Sequence, residues 1–266
     1  MPARSYLFVP GDRPERFDKA CAAGADVVIL DLEDAVTPDK KESAREAIRE
    51  WLKGGGKGWV RLNGSDTEWY QGDCSLLGEP GLLGVSLPKA ESAAQLTALS
   101  ERLPDPLRIL PIVETARGVW NAEEVAAAPK VDRLAFGSVD FQVDTGILGD
   151  GDELLFARSR LVIASALARI NPPVDGVTID LSDLDLLAED VKRARLLGFG
   201  GKLCVHPKQV APINDGFRPA DSEVSWAKAV LDTLESHKGV GAVSLNGKLI
   251  DLPVILRARR ILESAV

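Results

Sequence analysis

Short apolar runs of three to five residues recur along this chain. Each is followed by a longer segment in which apolar positions return every three or four residues, the alternation expected of strands followed by helices. Eight runs are predicted as strands: residues 6–9, 27–30, 59–62, 83–87, 109–113, 133–136, 177–179 and 202–205. Most are apolar on both faces, as parallel strands covered by helices should be. Between them, Pro14 near a first turn and Gly24 at an end bracket one helix, and Ala44, Ile48, Trp51 and Leu52 stripe another. Leu96, Leu99 and Leu103 form a third stripe, and Leu155, Phe156, Leu161, Val162 and Leu167 a fourth. A fifth holds Leu184, Leu187, Val191 and Ala194 before Gly198. Eight strand–helix units within residues 1–211 predict an α/β fold of the (β/α)8 TIM-barrel type, with a doubly wound open sheet as the alternative.

Beyond Pro212 the pattern changes. A helix holding Trp226, Val230, Leu231 and Leu234 precedes residues 243–250, which wrap around Asn246-Gly247. Asn-Gly between apolar runs predicts a two-residue hairpin. A last helix over about residues 253–262 completes an extension, residues 212–266, expected to pack on the barrel or on a neighbouring subunit. The Gly54 to Gly58 run precedes a strand instead of following one, which suits a connector better than a phosphate loop.

Composition narrows the function. Of 266 residues 45% are hydrophobic, ample for a packed core, and 32 basic against 40 acidic residues leave a net charge of −8. No basic block tracks a phosphate backbone, so no nucleic-acid partner is expected. The aliphatic runs fall far short of the roughly 20 residues of a membrane helix, so no membrane association is expected either. Met1 to Ser5 lead directly into a strand-like run, leaving no room for a secretory leader, and the expected compartment is the cytoplasm. Cys21, Cys74 and Cys204 are far apart with no C-x-x-C pair, which suggests inert thiols.

A barrel of this type builds its site where strands end, and those positions are acidic here. Strand two ends Asp31-Leu32-Glu33-Asp34, strand three carries Arg61 and Asn63, and strand four ends Pro88-Lys89. Strand five ends Glu114-Thr115, strand six runs to Asp140, strand seven reaches Asp180, and strand eight ends His206-Pro207-Lys208. Glu114 and Asp140 from adjacent strand ends outline a hard-cation site, with water or substrate oxygens filling an octahedral Mg²⁺ shell. Taken singly, each acid also suits a helix N-cap. Arg61 sits inside an apolar strand, so it should meet an anionic ligand or a buried salt bridge to Glu33 or Asp34. Zinc hydrolysis is disfavoured, because His206 and His237 are the only histidines and no H-E-x-x-H occurs. His206 suits either catalysis or bracing of its loop. Residues 144–153, rich in Gly and Asp, lack the calcium-loop pattern and suit a mobile loop over the site.

Several ordered motifs then fall together. They are Arg4-Ser5-Tyr6-Leu7-Phe8-Val9-Pro10-Gly11, Leu30-Asp31-Leu32-Glu33-Asp34-Ala35-Val36, Val60-Arg61-Leu62-Asn63, Leu87-Pro88-Lys89-Ala90-Glu91 and Val113-Glu114-Thr115-Ala116. Phe136-Gly137 through Asp140, Cys204-Val205-His206-Pro207-Lys208-Gln209 and Gly247 through Ile250-Asp251-Leu252-Pro253 extend them over essentially the whole length. With these the chain resembles the citrate lyase β-subunit-like proteins. The resemblance implies a (β/α)8 barrel with a C-terminal extension, a homotrimer or higher oligomer, and Mg²⁺-dependent carbon–carbon lyase or condensation chemistry on acyl-thioesters. It implies that Glu114 and Asp140 hold Mg²⁺, that Arg61 binds substrate oxygen and stabilises an enolate, and that Glu33 and Asp34 hold metal-bound waters and orient Arg61. Glu114, Thr115 and Asp180 join Arg61 as expected substrate contacts, with amides at the helix start after Glu114 facing a substrate carboxylate. Asp251 corresponds to an acidic proton-transfer group that reaches a neighbouring subunit's site, or else it caps a helix before Pro253. Arg13, Arg16 and Lys19 suit either a solvated helix face or the phosphates of coenzyme A. Many relatives carry Glu before the aspartate after strand six, whereas here Val139 precedes Asp140, so the substrate is left open.

The leading expectation is therefore a lyase cleaving or forming a 3-hydroxyacyl-coenzyme A thioester such as citryl-, malyl- or citramalyl-coenzyme A. The alternatives are a pyruvate-type class II aldolase acting on free hydroxy-oxo acids, although residues 31–37 lack the histidine base such enzymes commonly use, and a non-catalytic thioester-binding subunit.

Overall fold

The structure, a computed structural model, describes residues 3–236, 243–245 and 247–265. Eight parallel strands close into a barrel in chain order: β1 Ser5–Pro10, β2 Val27–Asp31, β3 Gly58–Arg61, β4 Leu82–Leu87, β5 Arg108–Val113, β6 Ala135–Phe136, β7 Val174–Asp175 and β8 Gly201–Cys204. Around them run α1 Phe17–Ala22, α2 Lys41–Lys53, α3 Tyr70–Asp73, α4 Ala93–Arg102, α5 Ala116–Trp120, α6 Ala122–Ala126, α7 Ser138–Thr145, α8 Leu155–Ala168, α9 Leu184–Leu197 and α10 Val210–Gly216. The expected TIM barrel is what forms. Its interior is filled by Tyr6, Ile29, Leu110, Ile112, Ala135, Val174 and Leu203. Their strand neighbours Leu7, Leu30, Val60 and Ile109 are buried on the opposite, helix-covered face, which is why these runs read as continuously apolar.

Helix boundaries follow their chemistry. Ser92 and Gln95 make a capping box at the start of α4, and Asp183 accepts the Leu186 amide to begin α9, which ends on Gly198 at φ +102°. Ala44, Ile48 and Leu52 bury one face of α2.

Three expectations need correction. Strand seven is Val174–Asp175, not residues 177–179: Val174 pairs with Ala135 and Gly201, and the ladder ends there because β6 offers only two residues. The apolar run at 177–179 instead crosses the barrel mouth, with Ile179 exposed. Asp140 does not end strand six but lies in the first turn of α7. In α8 the expected stripe is misplaced: Leu155, Phe156 and Leu167 are exposed, and the buried face is Ala157, Arg158, Leu161, Ala164 and Ser165.

Arg158 is buried because it meets charge. Asp175 and Lys202 stand opposite each other on β7 and β8, facing away from the interior that Val174 and Leu203 fill. Arg158 Nε donates to Asp175 Oδ1 at 3.0 Å. Lys202 Nζ donates to the Gly176 carbonyl at 2.6 Å and lies 3.9 Å from Asp175 and 4.0 Å from Asp190. Burial pulls the Lys202 ammonium below its ordinary range against the pull of both carboxylates.

A second compact unit begins at Asp215, the first spanning Ala3–Asn214. It contains α11 Asp221–Ser236, the antiparallel strands β9 Val243–Leu245 and β10 Lys248–Ile250, and α12 Leu252–Ala265. Ala227, Val230, Ile250 and Ala258 form its core. The two predicted strands pair antiparallel, with Gly247 at φ +75°; Asn246 and His237 lie outside the described residues.

Candidate active site

Asp31 and Arg61 end neighbouring strands and are register partners across β2 and β3. Arg61 Nε and Nη2 donate to the two oxygens of Asp31, each at 2.6 Å, a bidentate pair. Nη1 lies 2.8 Å from Glu33 and 3.7 Å from Asp34, and the guanidinium stacks 4.7 Å from the Phe8 ring centroid. The salt bridge expected with Glu33 is thus real, yet the principal partner is Asp31. Asp31 also accepts the Glu33 and Ala35 amides, and Lys41 Nζ donates to the carbonyls of Leu32 and Glu33, so the loop after β2 is tied at several points. Burial opposes ionisation of Asp31, but the Arg61 charge and these hydrogen bonds hold its carboxyl below the usual range.

Glu114, at the end of β5, is 3% exposed. Its Oε1 accepts the Lys89 amide at 2.7 Å. Lys89 holds a left-handed backbone, φ +50°, which directs that amide at Glu114, while its ammonium lies 3.3 Å from Glu33 Oε1. On the other side Gly137 leaves space for Glu114, since a Cβ there would come within 2.4 Å of Glu114 Oε2. Burial, reinforced by Glu33 and Asp140, pushes the Glu114 carboxyl up to about 8. Burial, reinforced by Asp34 and Asp31 and opposed by Arg61 and Lys89, pushes Glu33 up to about 7. Asp140 is raised as well, by burial first and then by Asp34.

One cavity of about 370 Å³ at the barrel mouth is lined by Asp31, Asp34, Arg61, Glu114 and Asp140 together with apolar residues. Glu114 and Asp140 both line this cavity as carboxyl groups. Their donor set is all oxygen, which fits Mg²⁺ and not a thiolate- or imidazole-preferring metal. Among the described residues no three His, Cys, Asp or Glu form a ready metal cage. Glu114 and Asp140 would therefore hold a cation jointly with water and substrate oxygens.

Other expected contacts are otherwise engaged. Thr115 Oγ1 accepts the Gly118 amide and donates to Glu91, capping α5. The Ala116 amide, expected to face a substrate carboxylate, donates to Asp144 at 2.7 Å. Asp180 is exposed and accepts from Ser182 and Asp183 within its own turn. His206 Nδ1 accepts the Lys208 amide and braces its loop. Arg13 and Arg16 are exposed, each 3.9 Å from the preceding acid, and Lys19 is also exposed. Asp251 belongs to the C-terminal unit, where it is exposed and its Oδ1 accepts the Val254 amide. Sequence reasoning missed Asp31 and Lys89 as organisers of the site. Strand register would have found the first, since residues 31 and 61 are partners where β2 and β3 end.

The family model described as HpcH/HpaI aldolase/citrate lyase matches residues 4–207. A citrate lyase subunit beta-like protein of Deinococcus radiodurans is 35% identical, covering 98% of this chain and 96% of that protein. An L-malyl-CoA/beta-methylmalyl-CoA lyase of Cereibacter sphaeroides is 35% identical over 99% of this chain and 95% of its own length. The crystal structure of protein CitE from Mycobacterium tuberculosis in complex with magnesium, acetoacetate and coenzyme A superposes with a TM-score of 0.86 at 34% identity, covering 99% of this chain and 98% of that one.

Proposed function

The chain belongs to the HpcH/HpaI aldolase/citrate lyase family, and on that premise we propose that it is a magnesium-dependent carbon–carbon lyase. Its substrate is a 3-hydroxyacyl-coenzyme A thioester, cleaved to an acyl-thioester and a 2-oxo acid or formed from them. The observation that carries the proposal is the gathering of Glu114, Asp140 and Arg61 on one cavity at the barrel mouth.

Magnesium bound by Glu114 and Asp140 would supply Lewis-acid polarisation of the oxygens on the hydroxy-acid half. The remaining work falls to the side chains. The C3 hydroxyl gives up its proton, the C2–C3 bond breaks, its electron pair passes to the thioester as an enolate, and C2 takes up a proton. Arg61 is the group assigned to the enolate oxygen. Two of the five N–H bonds of the guanidinium are given to Asp31, and Nη1 pairs with Glu33 by charge, leaving donors for substrate in a fixed orientation. Asp34 is the candidate acceptor for the hydroxyl proton, supported by its place on the cavity wall. Glu33 keeps Arg61 and Lys89 in position through its ion pairs with both.

Asp251 is proposed as the proton donor to C2, delivered by the extension of a neighbouring copy in a homotrimer. Its exposed carboxylate supports this assignment. The cytoplasm is the proposed compartment; among the described residues no helix is long and apolar enough to cross a membrane.

The test is incubation of the purified protein with Mg²⁺ and citryl-, malyl- and citramalyl-coenzyme A, with products followed by mass spectrometry beside Glu114→Ala. Metal-dependent release of acyl-coenzyme A and a 2-oxo acid, lost in the variant, is the expected result. Turnover of free hydroxy-oxo acids with no thioester cleavage would overturn the proposal in favour of an aldolase.

A further inference from the structure

Helix α2 opens on a lysine that is only 5% exposed. An ammonium in such a place carries a desolvation cost that its contacts must offset, and lysine is seldom buried without a reason of that kind. Lys41 Nζ donates to the carbonyl oxygens of Leu32 and Glu33, each at 2.7 Å, and lies 5.1 Å from the centroid of the Trp69 ring. Burial pulls the ammonium below its ordinary range, while Asp31, Glu33, Asp73 and Asp34 pull it the other way.

The far side of the same peptide gives these bonds their meaning. The Leu32–Glu33 peptide turns its carbonyl to Lys41 and its amide, at 2.9 Å, to Asp31 Oδ1. That oxygen in turn accepts Arg61 Nε at 2.6 Å. A cation at the carbonyl end and a carboxylate at the amide end both align with the peptide dipole, and hydrogen bonds in such a series polarise one another. The Ala35 amide adds a second link to Asp31 at 3.2 Å, and the Glu33 carbonyl also accepts the Val36 amide at 3.0 Å. The turn carrying Glu33 and Asp34 is therefore gripped by Asp31, which lines the cavity, and by Lys41, which does not. Ala44, Ile48 and Leu52 seat α2 in the core, so the grip has a fixed base. Arg45, one turn on from Lys41, donates to Asp73, whose other oxygen accepts the amide and side chain of Asn63. Helix α2 reaches the chain on both sides of the Asp31–Arg61 pair, at residues 32–33 after β2 and at residue 63 after β3.

Building on the lyase reading, we propose that Lys41 is a positioning residue for catalysis: through the Leu32–Glu33 peptide and Asp31 it fixes the orientation of Arg61, and the Trp69 ring covers it. Because Lys41 lies outside the cavity lining, it governs kcat and leaves substrate affinity to other groups.

The experiment measures kcat and KM of the full-length, Mg²⁺-saturated protein on whichever of citryl-, malyl- and citramalyl-coenzyme A it cleaves fastest. Lys41→Met, close in shape but uncharged, should lower kcat by about 10-fold with KM little changed, the scale of a small misalignment of a catalytic group. Combined with Asp31→Asn it should cost little more than Asp31→Asn alone, because both changes break one series of bonds. Trp69→Leu probes the same series without removing the ammonium, and it decides the matter where Lys41→Met does not fold. Its kcat should fall by about 3-fold, and Trp69→Phe, which keeps an aromatic face, should lose less. Losses that multiply in the double variant, or a lowered Tm with kcat unchanged in Lys41→Met or Trp69→Leu, overturn the inference and leave the lyase reading standing. Cleavage of none of the three thioesters by the unmodified protein overturns the lyase reading itself, and the inference falls with it.

Discussion

Asp31 and Arg61 meet face to face across two adjacent strands, joined by two hydrogen bonds of 2.6 Å. Asp31 fixes the plane of the guanidinium, so it should matter to catalysis without touching substrate. Asp31→Asn keeps the shape and removes the charge, and kcat is expected to fall by about 100-fold with KM little changed. Arg61→Lys should not rescue geometry that depends on a bidentate fork. Asp31→Ala should also cost about 3–5 kcal/mol of stability, because it leaves the guanidinium buried without its main partner. Steady-state kinetics and urea unfolding check both; an unchanged kcat in Asp31→Asn would remove the positioning role.

Metal binding should depend on Glu114 and Asp140 together. Saturating Mg²⁺ at about 100 times its Kd should stabilise the protein by about 2.7 kcal/mol. Glu114→Gln and Asp140→Asn should each abolish most of that gain and lower activity by at least about 100-fold. Thermal shift against Mg²⁺ concentration measures it. Gly137→Ala should weaken the same response, since its new Cβ would press on the Glu114 carboxylate.

The metal-free protein should lose stability as pH rises. Folding raises the Glu114 carboxyl from 4.5 to about 8. Between those values the folded state holds a proton that the unfolded chain has released. This contribution is complete below about 4.5 and disappears as pH climbs through about 8. Glu33, raised to about 7, acts in the same direction. In EDTA the Tm of the unmodified protein should therefore fall between pH 5 and 8.5 more steeply than that of Glu114→Gln, and parallel curves for the two proteins would contradict the assignment. With Mg²⁺ present the slope should flatten, because the cation takes the place of the proton.

The charge cluster beneath α8 should be structural. Asp175→Ala removes the buried carboxylate that Arg158 and Lys202 share, leaving Arg158 on Asp150 and Lys202 on the Gly176 carbonyl, and should cost about 3 kcal/mol. Lys202→Met removes a donor and its desolvation cost together, so a smaller loss of about 1 kcal/mol is expected. Denaturant midpoints distinguish the two, and equal losses would argue against an uncompensated charge.

Seven of the eight strands were legible because both-face apolar runs mark strands covered on each side. β7 was not: its two residues follow Pro172-Pro173, while the more strand-like run 177–179 joins no ladder, with Val177 on the cavity wall and Ile179 exposed. Pattern reports burial without saying what does the burying. The same limit hid Arg158, Lys202 and Arg133, charged residues that are 1% exposed because each meets a partner far off in sequence. In the site, the acids at strand ends were visible one by one. The Asp31–Arg61 pair required register between strands, and the grip of Lys89 on Glu114 is a backbone conformation that no side-chain pattern encodes.

Lys89 joins two carboxylates that lie in different parts of the chain, holding Glu114 through its amide and Glu33 through its ammonium. Glu33 in turn touches Arg61. The group that would carry the metal and the group that would steady the enolate are thus linked through two intermediaries, Lys89 and Glu33. Changes at Glu33 and Glu114 should be non-additive when combined, and a double-mutant cycle of Glu33→Gln with Glu114→Gln would read the coupling directly. For anyone redesigning this pocket, metal affinity and transition-state stabilisation are not two independent dials: turning one moves the other through the same lysine.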